Sequence, residues 1–586
     1  MKKNKMPIIV ALVVAAVAMV ALIISKILFP SEEVSKKMVG TEDIYKHFLL
    51  YDGYTVDDNG YNFKDATKAA DDQIAIIVQD KLVEDRAKLG DGGRIYLDIH
   101  FIREYIDDRF YWDNNENILL FTTATDIVKS AVGSMDYYVT KVKNTAPYVV
   151  VKAEGQQVYV CLDFVKLYSG IEAEFYQEPN RLYITNDFTD SYNVGILKAG
   201  EKVRIEDSRK SDILVKYEDD MDVIVVSEEE NWLKVVTKDG YIGYAETKSI
   251  KDRSDKVFTT TFTEPEYTSI RKDRTISMAW HQVTNETANN QLVDLVARTK
   301  GLNVISPTWF RLSDNEGNFT SLASHDYVIK AHMLGLDVWA MIDDQSADSV
   351  NAEIFPYTSK RERIVNQLVA TAIDYNLDGI NIDFEYIDAA FADAYIQFLR
   401  ELSVKCRVNG IVLSVDDKVP APSNYHYNRK AQGKVADYII IMGYDEHWGE
   451  ASGCGSVASL PYVTEGILNT ISEVDASKVI NAIPFYTRIW QEDGAGQYLG
   501  SQAVGIQAAI DTLAAHGASY TWVENVGQNY GEYATEEGVF RIWLEDAASI
   551  EEKLKLIQTH NIAGVSAWRL GLETPEIWNT IIKYTN

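Results

Sequence analysis

From Thr275 to Asn586, apolar β-rich segments alternate with amphipathic segments of helical period. That alternation predicts βα units built on a parallel sheet. Eight strands can be counted, beginning near Ile276, Leu302, Asp337, Gly379, Ile411, Asp437, Lys478 and Gly564. One intervening helix displays its period. Ser359 and Glu362 read as a capping box, and Ile364, Val365, Leu368, Val369, Ala372 and Ile373 as one apolar face. Eight such units in about 310 residues fit a (β/α)8 barrel.

The chain has 586 residues, too many for one core, so further domains precede the barrel. Residues 31–190 contain an internal repeat. Ile95 to Ile102 reads alongside Val158 to Val165, and each copy continues into a helix-like piece and a strand, Ile118 to Thr123 and Leu182 to Thr185. Units that cannot bury a face alone should pack on each other. The pattern resembles the copper amine oxidase N-terminal-like domain of exported bacterial enzymes, whose role would be spacing or wall binding. The name implies no copper here, since His100 stands alone.

Residues 191–252 read as short strands, with Asp239-Gly240 as a hairpin turn. The run Trp232 to Tyr244 resembles bacterial SH3-like domains. Wall-ligand binding and a simple packed barrel with Trp232 in its core are both open readings. Residues 253–274 look like a linker.

At the other end, residues 1–6 carry Lys2, Lys3 and Lys5, and Ile8 to Ser25 contains no charge. That run would span roughly 27 Å as a helix, close to a bilayer core of about 30 Å. Lysines on its N-terminal side predict that end inside and the rest outside. Ala16-Val17-Ala18 resembles a cleavage site, so a cleaved signal peptide competes, but it sits mid-run. The favoured expectation is a transmembrane signal anchor over 7–29, a single-pass bacterial membrane protein with an extracellular catalytic domain. The expected fold is thus α/β. A C-terminal (β/α)8 TIM barrel over 275–586 follows a small all-β SH3-like barrel, an α+β repeat domain and a transmembrane helix.

Chemistry concentrates in Asp378-Gly379-Ile380-Asn381-Ile382-Asp383-Phe384-Glu385. Alternate residues of a strand face one side, so Asn381, Asp383 and Glu385 point together into the barrel, while Ile380, Ile382 and Phe384 pack outward. Glu385 comes last, at the carboxyl end of the fourth strand, the face where such barrels carry active sites. Two carboxylates about 6–7 Å apart repel when both are ionised, which pushes one pKa up. A protonated glutamate is what leaving-group protonation requires. Acids at strand ends are often solvated or ion-paired, but three polar residues on one inward face must each be satisfied at a cost.

This segment resembles the DGxDxDxE motif of glycoside hydrolase family 18, and the resemblance covers the C-terminal 310 or so residues. Met442-Gly443-Tyr444-Asp445 at the end of the sixth strand matches the family's MxYD, and Trp568 ends the eighth where the family keeps a Trp floor. The resemblance implies Glu385 as general acid then base. Asp383 would orient the substrate acetamido group and stabilise its positive charge, with Tyr444 bonding the acetamido carbonyl and Asp378 and Asn381 supporting Asp383. Asn381 stands where chitinases usually have Asp. That variant resembles the branch containing spore-cortex and other peptidoglycan N-acetylglucosaminidases, and an Asn cannot share a proton with Asp383, which would leave Asp383 more fully ionised. Tyr486 and Arg488, in Pro484-Phe485-Tyr486-Thr487-Arg488, also look like that branch and are candidates for substrate contact with Trp568, Asp445, Met442 and Trp280. Trp280, Trp309, Trp339 and Trp448 are each as readily core as sugar platform. Asp343-Asp344 and Asp416-Asp417 end the third and fifth strands; they could bind sugar hydroxyls, but solvated loop acids are the better reading.

The formal net charge of −30 argues against nucleic acid and anionic membrane surfaces as partners. Cys161, Cys406 and Cys454 form no CxxC pair, and the nine histidines no HExxH cluster, so neither a disulfide framework nor a metal mechanism has sequence support. No cofactor is expected. The implied partners are a glycan, the cell wall through the upstream domains, and the membrane through the anchor. The implied activity is a β-N-acetylglucosaminidase acting on peptidoglycan. A chitin-oligomer or N-glycan endo-hydrolase and a catalytically silent glycan-binding barrel are the alternatives.

Overall fold

The two copies of the repeat pair with each other. Ile95–Asp98 runs antiparallel to Gln157–Cys161, with Leu97 opposite Val160. Each copy then turns into a short helix, Ile99–Phe101 and Leu162–Tyr168, which buries Phe101 and Phe164. Beyond the helices the copies diverge. Arg181–Thr185 returns to the same seven-stranded sheet beside Gln73–Val78, whereas Ile118–Thr122 joins a separate five-stranded sheet.

The computed structural model describes residues 19, 34–50, 72–449 and 453–585. They fall into two units, residues 1–108, 133–135 and 146–264 in one, residues 109–132, 136–145 and 265–586 in the other. The first unit holds the repeat sheet and a second seven-stranded sheet. In that second sheet Ile250–Val257 pairs antiparallel with Ser191–Leu197, so residues 253–257, expected as linker, are strand.

The second unit contains the barrel. Its strands are β1 (Ile276–His281), β2 (Val304–Leu312), β3 (Asp337–Asp343), β4 (Gly379–Asp383), β5 (Val412–Lys418), β6 (Tyr438–Met442), β7 (Val479–Pro484) and β8 (Gly564–Trp568). All pair in parallel with their neighbours, and β1 pairs with both β2 and β8, which closes the barrel. The largest departure from the expected starts is Val304 against Leu302.

Two helices cover β4 from outside, α1 (Thr358–Asp374) and α2 (Ala392–Asn409). The capping box expected at the start of α1 does not form. Glu362 pairs with Lys129, and Ser359 bonds Glu116. The cap comes from far away in the chain: Asp113 Oδ2 accepts from both the backbone N and Oγ1 of Thr358, each at 2.6 Å. A carboxylate at a helix N-terminus satisfies orphan donors and meets the positive end of the helix dipole. The five-stranded sheet of residues 111–145 supplies it. The same sheet lays Tyr111 over the buried Arg361 guanidinium at 4.9 Å, and Gln397 of α2 donates to Thr122 Oγ1 at 2.9 Å. Ile373, expected on the apolar face of α1, is exposed.

The expected transmembrane anchor requires correction. Among the described residues no helix is long and apolar enough to cross a membrane. The 7–29 run itself, Met19 apart, lies outside the described residues. Single-pass topology, membrane contact and extracellular placement therefore drop out of the functional reading.

Asp113→Ala removes a buried carboxylate cap and also frees the amides of Asn115 and Glu116, which donate to Asp113 Oδ1. Loss of a cap and of hydrogen bonds to a buried charge should cost about 2–4 kcal/mol. Denaturant unfolding of the barrel, followed by tryptophan fluorescence, should show that loss; a change below about 0.5 kcal/mol would refute the capping role.

Candidate active site

The segment 378–385 is oriented by what its outward side chains bury. Ile380, Ile382 and Phe384 are fully buried. Phe384 packs among Phe355, Tyr395 and Phe398, with centroids 5.5, 6.3 and 5.8 Å away. At Gly379 a Cβ would stand 2.6 Å from the Trp339 ring, so only glycine fits there. With these positions turned outward, Asn381 and Asp383 face the barrel interior, the alternation the sequence predicted.

Asn381 is fully buried and uses its whole hydrogen-bonding capacity. Its Oδ1 accepts from Trp280 Nε1 at 3.0 Å and Ser306 Oγ at 3.2 Å. Its Nδ2 donates to Ser414 Oγ at 3.0 Å and Asp416 Oδ1 at 2.8 Å. The partners fix which end of the amide is which, because Trp280 only donates and the Asp416 oxygen accepts.

Asp383 lies one pleat further along β4. Strand register sets it in a row: Asp343 of β3 is its partner on one side. On the other, Ile382 pairs with Val415, so Asp416 of β5 is on the next rung. Paired strands lie only about 4.8 Å apart. Asp343 is neutralised by a bidentate pair with Arg311, at 2.7 and 3.1 Å. Burial first, then Asp416, then Glu385 and the two remaining carboxylates, pushes the Asp383 carboxyl well above the usual range. Burial pushes Asp416 the same way, with Asp417 and Glu385 adding to it and the Asn381 bond opposing it. Asp383 thus departs from the more fully ionised group expected beside an Asn, because it is buried and Asp416 supplies a second carboxylate.

Glu385 stands at the carboxyl end of β4. Asp344 Oδ1 accepts its amide at 3.0 Å, Asp344 Oδ2 accepts Tyr386 N at 2.9 Å, and Tyr427 donates its hydroxyl to the Glu385 carbonyl at 2.7 Å. The carboxylate accepts from Gln345 Nε2 at 3.0 Å and lies 3.4 Å from Lys418 Nζ.

A cleft of about 820 Å³ opens over these groups, in the range of small-ligand sites. It brings together Glu385, Asp383, Met442, Tyr444, Asp445, Tyr486, Trp568 and Trp280 from the predicted set. Tyr444 packs edge-on to Tyr486 at 6.2 Å, and the Tyr486 hydroxyl donates to Asp445. Burial, with Tyr486, Asp383 and Asp416 adding to it, holds the Tyr444 phenol far above its ordinary range, so it remains a hydrogen-bond donor. Trp568 tilts against Trp280 at 5.9 Å. Trp280 is itself buried with its N–H committed to Asn381, so it underlies the floor rather than forming a free platform.

Other predicted residues lie elsewhere. Asp378 precedes β4 at the opposite mouth, where its Oδ2 accepts from Val338 N and contacts His332 Nε2, both at 2.8 Å. Arg488 donates to Ser501 Oγ at 3.1 Å within a neighbouring hairpin. Trp309 and Trp339 are core, and Trp448 is exposed at the cleft. The acids read as solvated, Asp343, Asp344, Asp416 and Asp417, are all buried and engaged. Asp417 is 3.7 Å from Arg429 and accepts from Gln432, and burial pushes it up to about 6. Gln345, Lys418 and Tyr427 were not foreseen at the site, and Asp344 and Asp416 were placed at strand ends without their burial or bonding. Among the described residues, no cluster of His, Cys, Asp or Glu has the donor set for a metal ion.

Residues 317–573 match the family model "Glycosyl hydrolases family 18", and residues 77–184 match "Copper amine oxidase N-terminal domain". The chain is similar to a cortical fragment-lytic enzyme of Bacillus subtilis (strain 168), 29% identical over 227 residues, 37% of this chain and 52% of that protein. The chain therefore spans about half the length of that relative. An uncharacterized glycosylase, YvbX, of the same organism is 28% identical over 301 residues, 48% of this chain and 85% of that one. Among solved structures, the spore cortex-lytic enzyme SleL of Bacillus cereus has 20% identity and a TM-score of 0.49, covering 57% of this chain and 78% of that one.

Asp344→Ala should leave the Glu385 and Tyr386 amides without their acceptor. Their hydrogen exchange should quicken by about 10-fold or more, matching the loss of a buried hydrogen bond to a charge. Unchanged protection at both amides would remove Asp344 from the account of how Glu385 is held.

Proposed function

We propose that this chain, a glycoside hydrolase whose C-terminal barrel is of the family 18 type, cleaves β-linked N-acetylglucosamine glycans, with peptidoglycan as its substrate, by a retaining, substrate-assisted reaction. The observation that carries this reading is the pair Asp383 and Glu385, on one strand in two environments beneath one cleft. The likeness to a protein named a cortical fragment-lytic enzyme supports a peptidoglycan-type glycan over chitin.

Glu385 has the exposure and the mouth position to protonate the departing glycosidic oxygen and then to activate water. Most retaining glycosidases place a second carboxylate as nucleophile about 5–5.5 Å from the acid, across the sugar from it. Asp383 does not suit that task. It is buried, flanked by Asp343 and Asp416, and held toward its neutral form. Asp445 is committed to Tyr486, Glu446 to Ser459 N and Oγ at 2.8 and 3.0 Å, and Asp416 is buried, bonded to Asn381 at 2.8 Å and held toward its neutral form. The substrate's own acetamido oxygen remains as nucleophile, the known exception among glycosidases. Tyr444 would then hold the acetamido carbonyl in line. Asp383 would accept the acetamido N–H and stabilise the oxazolinium-like ring, and Trp568 would support the distorted sugar.

Glu385→Gln keeps the shape and removes the proton donor. Turnover should fall about 100-fold or more while glycan binding persists. Turnover near that of the wild-type chain would rule Glu385 out as the acid. The assay is digestion of purified peptidoglycan and of chitin oligomers, with the released ends identified by mass spectrometry. Cleavage of chitin oligomers alone would replace peptidoglycan as the substrate.

The route of attack is testable separately. Proton NMR of early products should show the β anomer first, and glycans N-deacetylated at the cleaved sugar should resist, because a free amine has no nucleophilic oxygen. The α anomer appearing first, or efficient cleavage at a deacetylated glucosamine, would exclude the acetamido as nucleophile.

A further inference from the structure

Asn381 cannot exchange a proton with its strand neighbour Asp383, yet a second carboxylate stands beside Asp383 on the adjacent strand. Asp416 is the second. It reaches the axis from β5, and the Asn381–Asp416 bond at 2.8 Å occupies only its Oδ1. Its Oδ2 is buried and makes no hydrogen bond, and the same is true of Asp383 Oδ1. Register places the two residues side by side on adjacent strands. Two neighbouring buried carboxyl groups, each with one unbonded oxygen, satisfy each other when one proton lies between them. With none, both charges are desolvated and repel.

We propose that Asp416 is a positioning residue for Asp383, the two carboxyl groups sharing one proton between Asp416 Oδ2 and Asp383 Oδ1. This rests on the glycosidase reading above. The pair carries one negative charge throughout. As the acetamido group enters, Asp383 turns its carboxylate to the acetamido N–H and the proton stays on Asp416 Oδ2. No proton enters or leaves the site, and Asp383 is ionised where positive charge develops. Burial holds both groups toward the neutral form, in keeping with a retained proton.

Other groups around the pair are already engaged. From β3, Asp343 is paired with Arg311, and Asp344 holds the amides of Glu385 and Tyr386. From β5, Asp417 lies against Arg429, and Lys418 lies against Glu385. Beyond β6, Tyr444 acts as a neutral donor and Asp445 is bound by Tyr486. Asp416 is therefore the group left to hold the proton.

The test uses the full chain, with a fluorogenic N-acetylchitobioside and purified peptidoglycan as probes. Asp416→Asn preserves the acceptor for Asn381 Nδ2 and offers Asp383 an amide donor, so the fold should survive while proton sharing ends. The Asp383 carboxylate then loses the carboxylic-acid donor that stabilised the pair's single charge, and it takes up a proton more readily. The acidic limb of kcat should move to higher pH by about one unit or more, and kcat should fall about 10-fold with KM changed far less. The exchange N381D/D416N returns a carboxyl group to Asp383's other side and should bring the acidic limb back toward its original position. A merely structural Asp416 would show no such rescue. Infrared difference spectra of wild type minus D416N at pH 7 should contain the carbonyl stretch of a protonated carboxylic acid. This arm needs no turnover, so it decides proton sharing even if neither probe is cleaved, a result that would overturn the glycosidase reading instead. A pH profile for D416N that superimposes on wild type, or a difference spectrum without that band, overturns the shared proton.

Discussion

Four hydrogen bonds converge on the side chain of Asn381 at the axis of the barrel, and through them one amide of β4 ties in three other strands. Trp280 reaches it from β1, Ser306 from β2, and Ser414 and Asp416 from β5. Each donor and acceptor of the amide is used, so the residue is fixed in orientation as well as place. A leucine of similar size would leave the Trp280 N–H, the Ser306 hydroxyl and the Asp416 carboxylate unpaired in the interior, each at a cost of about 1–3 kcal/mol. An aspartate could accept from Trp280 but not donate to Asp416. The choice of Asn on β4 and of Asp on β5 are two halves of one arrangement.

That arrangement separates two carboxylates that the strand spacing leaves near each other. Glu385 is pinned through its backbone, with Asp344 on its amide and Tyr427 on its carbonyl, while its side chain reaches the cleft. Asp383 is pinned through its neighbours in register and faces other acids in the dry interior. Environments of different polarity are how one chain gives two like groups different roles. The two differ by a single pleat of one strand.

The barrel was legible because its strands are buried on both faces and read as apolar runs separated by helical periods. The inward set of β4 was legible by counting alternate residues, and the same counting puts Asp378 at the far mouth, about 16 Å from Asp383 along the strand. Resemblance drew Asp378 into the site although its spacing argues otherwise. Asp416 was not legible. Two adjacent acids at a strand end look solvated, and only the register of β4 against β5 reveals that Asp416 faces Asn381. Asp113 at the start of α1 was hidden for a similar reason. Ser359 and Glu362 have the local spacing of a capping box, but the chain meets a preformed carboxylate from residues far upstream, and tertiary contact overrides the local pattern.

Those upstream residues bear on the site through packing rather than chemistry. The acid-bearing end of β4 is held from outside by Phe384 among the rings of Phe355, Tyr395 and Phe398, two of them on α2. Phe355 in turn offers its carbonyl to Arg361 of α1 at 2.6 Å, and Arg361 pairs with Glu401 of α2 at 3.1 Å, both side chains fully enclosed. A buried pair of this kind contributes little net stability, because desolvation offsets its attraction, but breaking one side strands the other charge. The five-stranded sheet encloses this pair with Tyr111, and binds both helices through Asp113 and Thr122. Removing the sheet would expose Arg361 and Glu401 to water and relax their demand for one fixed geometry. The sheet therefore gives the helices behind β4 a single docked arrangement, and with it the position of Phe384, one residue from the carboxylate that faces the cleft.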